Sequence, residues 1–186
     1  MTPRTSESHP LRVDWFALPG PGRLGMTFAP GKQTASRYGK YRWQRDLRTD
    51  LATLRADGVT TLVSLLEDHE LDLARIPELF AAARAAGIEV LRLPIRDGCV
   101  PPAAETEVVR RLLVDIDARL ADGGAVVIHC MGGLGRTGTI AGCHLRARGL
   151  SGAEALDTLK RTRGDELCPE TQAQRQYVLA WRPDGP

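Results

Sequence analysis

The stretch of sequence that decides the fold runs from Val126 to Gly138 and reads VVIHCMGGLGRTG. Its first residues continue an apolar run that begins at Ala125, and such a run is typical of a strand buried on both faces of a sheet. After Arg136, apolar residues return at helical spacing, at positions 140, 141 and 145. The glycine-rich segment between them therefore links the end of a strand to the start of a helix.

This glycine-rich segment is predicted to bind a phosphate group. The first N–H groups of a helix have no partner within it, and the aligned peptide dipoles place partial positive charge at that end. Glycine allows a positive φ, so several N–H groups of the loop can turn inward around a tetrahedral anion. The predicted phosphate-binding residues are Met131, Gly132, Gly133, Leu134, Gly135 and Arg136.

A cysteine and an arginine bracket the loop. A thiol close to a helix start and an arginine has its pKa lowered, which makes Cys130 a nucleophile at neutral pH. Arg136 can present a planar fork to two phosphate oxygens. Thr137 is predicted to donate a hydroxyl hydrogen bond to the sulfur, and His129 to orient the loop rather than act as a base.

The residues His129-Cys130-x-x-Gly133-x-x-Arg136-Thr137 fit the pattern HCxxGxxR[ST], so the chain resembles the cysteine-dependent protein tyrosine and dual-specificity phosphatases. Together with the segment 94–101, the loop is most similar to the cyclin-dependent kinase inhibitor 3 type and its bacterial relatives, and the similarity runs from about Leu18 to Trp181. The resemblance implies hydrolysis of phosphomonoesters through a phosphocysteine. It implies no metal and no cofactor, because N–H groups and one guanidinium neutralise the charge.

The segment Pro94–Pro102 is predicted to be a constrained loop, because its prolines donate no hydrogen bonds and Gly98 permits a turn. Asp97 lies in its middle. Expulsion of the substrate oxygen needs a proton from a positioned acid, and in the resembling family that acid lies on a separate loop upstream of the cysteine. Asp97 is therefore the predicted general acid, and a turn-capping aspartate is the alternative.

A last helix is predicted to begin at Pro169. Its first residues occupy the place where related phosphatases carry a glutamine-containing loop that positions the hydrolytic water. The resemblance assigns that supporting role to Gln174, whereas Glu170 stands where many relatives have another glutamine. This departure leaves the role of Glu170 open.

Four polar residues follow the predicted strand Val59–Leu66, from Glu67 to Glu70. Ligands bind at the carboxyl ends of parallel strands, so one of these carboxylates is a candidate partner of Arg136. Ordinary surface charges are the alternative. His69, in the same segment, is interpreted as structural, because an ionised thiol needs no general base.

Chain length and composition predict one α/β domain, with 186 residues of which 42% are hydrophobic. Strands and helices alternate along the chain, which favours a mainly parallel sheet of about five strands flanked by helices. Residues 1–10 are predicted to be a disordered arm, and residues 11–183 the phosphatase-like catalytic domain.

The net charge and the cysteine content limit the classes of partner and the compartment that we expect for the protein. The net charge of +2 does not favour nucleic acid or membranes, and the polar start lacks an apolar signal region. Four cysteines without CxxC pairs favour reduced thiols over a zinc site or a disulfide framework. We therefore expect a cytoplasmic protein, and a monomer, and the resemblance implies a phosphorylated protein or peptide as its substrate.

Basic and aromatic residues gather between Lys32 and Arg48. One interpretation is a solvated basic loop, and the other is a rim that attracts phosphorylated substrates. The members of this segment are Lys32, Arg37, Lys40, Arg42, Arg45 and Arg48, with Tyr38, Tyr41 and Trp43 among them.

Several alternatives stay open at this stage. The loop also suits a non-catalytic phosphopeptide-binding module, or a phosphatase of RNA 5′ ends or phosphoinositides. Phosphoinositide phosphatases usually carry lysines inside the loop, whereas no lysine lies between Cys130 and Arg136. The sequence does not specify which of phosphotyrosine, phosphoserine and phosphothreonine is preferred. It also does not specify whether Cys99 and Cys130 form a disulfide.

Overall fold

The centre of the computed structural model, which describes residues 3–36 and 40–183, is a five-stranded sheet. Its strands are β2 (Asp14–Trp15), β3 (Arg23–Phe28), β5 (Thr61–Ser64), β6 (Glu89–Arg92) and β7 (Ala125–Cys130), and β1 (Pro3–Arg4) pairs with β4 (Arg42–Trp43) in a separate small sheet. The order in the large sheet is β2-β3-β7-β5-β6, and only the edge pair β2–β3 is antiparallel. The predicted mainly parallel sheet of about five strands is confirmed.

Helices cover both faces of this sheet. They are α1 (Leu47–Ala56), α2 (Asp68–Leu73), α3 (Leu79–Ala85), α4 (Thr106–Ala121), α5 (Gly135–Ala147), α6 (Gly152–Arg163) and α7 (Gln172–Ala180), with one 3₁₀ turn at Ala103–Glu105. The single-domain α/β class predicted from the sequence is thus confirmed. No helix in the described ranges is long and apolar enough to cross a membrane.

The hydrophobic core has two halves, one on each face of β7. Val126 and Ile128 point into the half that α4, α5, α6 and α7 cover, whereas Val127 points into the half formed with α1, α2 and α3. All six residues of β7 are buried. This two-sided burial is why the strand is a continuous apolar run rather than an alternating one.

The carboxyl end of the sheet positions the chemistry. Strand β3 runs parallel to β7 in a register that places Phe28 beside Cys130, and β5 places Ser64 beside His129. The segments that leave these strands therefore meet at one edge, where ligands bind in open α/β sheets.

Of the predicted arm, residues 1–10, the structure describes residues 3–10, which include strand β1 and a turn in which the His9 N–H donates to the Thr5 carbonyl; Met1 and Thr2 lie outside the described residues. The Arg4 guanidinium stacks 3.7 Å from the ring centroid of Tyr41. The Ser6 hydroxyl accepts a hydrogen bond from the N–H of Asp46 at 2.9 Å. Polar residues thus order this segment through stacking and hydrogen bonds, which hydrophobic patterning does not reveal. Of the basic segment, Arg37 and Tyr38 also lie outside the described residues.

Candidate active site

The glycine-rich loop joins the last residue of β7, Cys130, to the first of α5, Gly135. Gly133 has a φ of +72°, and a Cβ there would lie 2.4 Å from the carbonyl oxygen of Thr27. The N–H of Gly133 donates to the Cys130 Sγ at 3.3 Å. Glycine at this position therefore lets the loop wrap closely over the end of β3 with its N–H turned toward the sulfur.

Cys130 is buried, with 3% of its surface exposed. Burial alone would raise the pKa of its thiol, but the charge of Arg136 and hydrogen bonds from Thr137 and from the Gly133 N–H outweigh this effect. The pKa is lowered as a result. The Thr137 hydroxyl is buried and meets no hydrogen-bond partner of standard geometry among the described residues, and it contributes to the lowered pKa of the neighbouring Cys130 thiol.

Arg136, in the first turn of α5, is 1% exposed and is held by Glu70. Its Nη1 lies 2.6 Å from Oε2 of that carboxylate and its Nη2 2.8 Å from Oε1. Nη1 also donates to the Ile95 carbonyl at 2.9 Å. Burial would lower the pKa of the guanidinium, but the Glu70 hydrogen bonds and the Cys130 charge raise it above its ordinary value.

The Nε–H of Arg136 has no partner among the described residues. A buried donor without a partner is costly unless a ligand satisfies it. The charge of the same guanidinium lowers the pKa of the Cys130 thiol. The arginine is thus oriented by its terminal nitrogens and keeps a donor for a phosphate oxygen.

The partner of Arg136 comes from the cluster of carboxylates that follows β5. Glu70, on α2, is the member that reaches the arginine, and its own pKa is lowered because the Arg136 hydrogen bonds and the Glu67 N–H overcome the effect of burial. Asp68 instead pairs with Arg92 at the surface. His69 is exposed.

Asp97 lies in the loop after β6, as predicted. Its Oδ1 is 3.0 Å from Nη2 of Arg136, and its side chain is 78% exposed. The fold therefore brings Cys130, Arg136 and Asp97 together from two separate loops. In this conformation the carboxylate rests on the arginine at the open side of the site.

The first turn of α7 contacts the start of α5. The Gln174 side chain is fully buried; its Oε1 accepts from the N–H of Thr171 at 3.1 Å, and its Nε2 donates to the Cys99 carbonyl at 3.2 Å. A Cβ on Gly135 would lie 2.8 Å from Oε1 of Gln174 and 2.8 Å from Oε2 of Glu170. Both side chains therefore pack against the loop end next to Arg136.

His129 is fully buried, and its Nδ1 lies 3.4 Å from the carbonyl oxygen of Cys130. Burial is the main cause that lowers its pKa to about 4, with a further contribution from the charge of Arg136. The imidazole is therefore neutral at physiological pH. All four cysteines are free thiols.

Two basic residues contact the backbone of the loop, a placement that the sequence does not predict for either. Lys32 follows β3 and is 5% exposed, and its Nζ donates to the Met131 carbonyl at 2.9 Å. Arg163, at the end of α6, donates to the Gly132 carbonyl at 3.4 Å. The available signal was that Lys32 follows a strand that could neighbour β7. Lysine is rarely buried, so the sequence favours a solvated loop or a rim, and for Lys32 the solvated alternative is wrong.

Comparison with known proteins places this arrangement in a family. Residues 36–149, more than half of the chain, match the family described as "Polymorphic toxin system, DSP-PTPase phosphatase". Human cyclin-dependent kinase inhibitor 3 is 27% identical over 185 residues, which cover 97% of this chain and 82% of that protein.

Solved structures agree with this match. Kinase associated phosphatase with its catalytic-site cysteine replaced by serine superposes with a TM-score of 0.79 at 24% identity, over 94% of this chain and 95% of that one. Tk-PTP in its active form gives a TM-score of 0.65 at 32% identity, over 84% and 89% of the two chains. The chain therefore belongs to the cysteine-dependent protein tyrosine and dual-specificity phosphatases and is an enzyme of that family.

Proposed function

We propose that the enzyme removes phosphate from phosphotyrosine, and from phosphoserine or phosphothreonine, of proteins through a phosphocysteine intermediate. The observation that carries this proposal is the buried Cys130, with its lowered pKa, beside an arginine whose Nε has no partner. A nucleophile and an anion donor are thus adjacent before any substrate binds.

In the first step, the Cys130 thiolate attacks phosphorus while the bond from phosphorus to the substrate oxygen breaks. Asp97 gives its proton to the departing oxygen, which leaves as an alcohol or phenol. For this the carboxyl group must leave Nη2 of Arg136, 3.0 Å away. A bound phosphate would take that nitrogen and Nε, and so free Asp97 to face the leaving group.

In the second step, water attacks the phosphocysteine and Asp97 accepts a proton from it. The phosphorus–sulfur bond breaks, which releases inorganic phosphate and restores the thiolate. The Thr137 hydroxyl is suited to stabilise the sulfur as it leaves. Arg136 and the loop N–H groups stabilise the equatorial oxygens in both steps. Gln174 and Glu170, which pack against Gly135, are the candidates to position the water.

Protein substrates are favoured by two observations. Two of the similar proteins carry names that refer to kinases, namely cyclin-dependent kinase inhibitor 3 and kinase associated phosphatase. The loop also has no basic side chain between Cys130 and Arg136 to bind a second phosphate of an inositol ring.

The test of catalysis uses a small aryl phosphate in the presence of EDTA. We expect turnover by the wild type, inhibition by vanadate, and no turnover by Cys130→Ser, which should still bind phosphate. If neither protein turns over any phosphomonoester and both bind phosphopeptide equally, the chain is a binding module.

The test of substrate class is a panel of phosphotyrosine, phosphoserine and phosphothreonine peptides, with a phosphoinositide and a 5′-triphosphorylated RNA as further arms. We expect the highest kcat/KM on phosphopeptides. A higher value on the lipid or the RNA would overturn the protein assignment while leaving the chemistry intact.

A further inference from the structure

The most unusual polar group outside the residues of the signature is the Lys32 ammonium. Its side chain is buried, and its Nζ lies 4.4 Å from the ring centroid of Phe28 and 4.9 Å from that of Trp43. It donates to the carbonyl of Met131, the residue after Cys130, at 2.9 Å. A buried charge needs hydrogen-bond or charge partners. For the Lys32 ammonium, one of these partners is the Met131 carbonyl oxygen, which belongs to the phosphate loop.

A network of buried residues holds Lys32 in this place. The Arg45 Nε and Nη2 bind Asp50 at 2.7 Å each, and Asp50 also accepts from the N–H of Gly31 at 2.8 Å. Gly31 itself packs so closely on Leu47 that a Cβ would lie 2.7 Å away. The turn that carries Lys32 is therefore tied to the start of α1 and cannot easily withdraw the ammonium from the loop.

The hydrogen bond acts on the loop through one peptide unit. The Met131 carbonyl and the Gly132 N–H belong to the same planar, trans peptide, so they point in opposite directions. A carbonyl held on Lys32 at the back of the loop turns the Gly132 N–H toward the opposite, phosphate-facing side. Arg163 makes the equivalent contact with the Gly132 carbonyl, whose peptide carries the Gly133 N–H that binds the sulfur.

The charge of Lys32 also reaches the nucleophile. Burial is the main cause that lowers the pKa of Lys32 to about 7, and the negative charge of Cys130 opposes this effect. The groups that face Lys32 are Cys130 and His129 of β7, Arg45 and Asp50 at α1, and Arg163 of α6. Among them, the thiolate and Asp50 are the anions that a protonated Lys32 can stabilise.

We propose that Lys32 is a positioning residue of the active site, which orients the Gly132 N–H through the Met131 carbonyl and stabilises the Cys130 thiolate and the bound phosphate from behind the loop. This role rests on the proposed phosphatase mechanism. It predicts that removal of the ammonium raises the pKa of Cys130 and weakens phosphate binding, without loss of the fold.

The test compares Lys32→Met with the wild type in the full chain. The rate of Cys130 alkylation by iodoacetamide, measured against pH, reports the thiol pKa, and inorganic phosphate protection from alkylation reports anion affinity. We expect the pKa to rise by about one unit and the phosphate affinity to fall roughly 3- to 10-fold. Lys40→Met, at an exposed position of the same segment, should match the wild type in both measurements.

Thermal unfolding separates this role from a purely structural one. Lys32→Met removes a buried charge, so we expect its Tm to equal or exceed that of the wild type. Lys32→Gln, which keeps a donor but not the charge, should show the same rise in thiol pKa. Unaltered pKa and phosphate affinity in Lys32→Met would overturn the proposal, and so would loss of folding in both variants. Alkylation needs no turnover, so failure of the phosphatase assay in the wild type would be a distinct result.

Discussion

Glu70 binds both terminal nitrogens of Arg136, with its Oε2 2.6 Å from Nη1 and its Oε1 2.8 Å from Nη2. The pair is buried, with the two side chains 6% and 1% exposed. Because Glu70 binds both terminal nitrogens and the Ile95 carbonyl binds Nη1 as well, the donors left for a phosphate are Nε and the second N–H of Nη2. The orientation of the anion donor is thus set by a residue of α2, outside the signature.

Glu70→Gln should therefore lower activity although it touches no substrate atom. The amide can accept from only one of the two arginine nitrogens, and a hydrogen bond to a charged group contributes about 1.5–3 kcal/mol. We expect kcat/KM on a small aryl phosphate to fall roughly 10- to 100-fold. Asp68→Asn, at the surface of the same helix, is the matched control. Wild-type kcat/KM in Glu70→Gln would show that Arg136 is oriented without this pair.

The sequence predicted the parts of this site that obey local rules. Val126 to Ile128 and the residues after Arg136 carry the periodicities of a buried strand and a helix, and the glycines mark the loop between them. For the partner of Arg136, the sequence predicts a carboxylate in the segment from Glu67 to Glu70 but does not say which one. The choice of Glu70 depends on how the short helix α2 is placed against the arginine.

The parts that were missed depend on tertiary contacts between distant segments. Strands β1 and β4 have two residues each, and the Arg4 guanidinium of β1 stacks on Tyr41, next to β4. No periodicity can signal so short a strand. The burial of Lys32 against the loop has a related cause: it follows from the parallel pairing of β3 with β7, whereas the residues near Lys32 indicate only that it follows a strand.

Asp97→Asn should show the leaving-group dependence of a lost general acid. The Asp97 carboxylate lies 3.0 Å from Arg136, on the side of the site that is open to solvent. We expect kcat to fall about 10²- to 10⁴-fold on an unactivated aryl phosphate. The loss on an activated nitrophenyl phosphate should be much smaller, because that leaving group departs without a proton. Equal losses on both substrates would remove Asp97 from the acid role.

Gly133→Ala and Gly132→Ala form a matched pair that tests the geometry of the loop. Gly133 has a φ of +72° and its added Cβ would lie 2.4 Å from backbone oxygen of Thr27, whereas a Cβ on Gly132 meets nothing within 4 Å. We expect Gly133→Ala to destabilise the protein by about 2 kcal/mol, or roughly 4–8 °C in Tm, and to weaken phosphate binding. Gly132→Ala should retain both. Comparable losses in the two variants would mean that the strain at Gly133 does not control the loop.

The burial of His129 predicts a loss of stability in mild acid. Its pKa is lowered from 6.5 to about 4 in the folded protein, so between these values the unfolded chain binds a proton that the folded chain does not. The free energy of unfolding therefore falls as pH decreases through this window, by about 3 kcal/mol in total for this residue. Above pH 6.5 the imidazole is neutral in both states and contributes no pH dependence.

His129→Gln removes this titration and should flatten the stability profile between pH 6.5 and 4, measured by urea unfolding at several pH values. His144 is also buried with a lowered pKa, mainly because of desolvation, and it stays in both proteins. The difference between the two profiles therefore isolates His129. His69→Gln, at an exposed position, should reproduce the wild-type profile. If the profiles of the wild type and His129→Gln are parallel, His129 binds a proton as readily in the folded protein as in the unfolded chain. A protonated His129 would then place a positive charge beside Cys130 in mild acid.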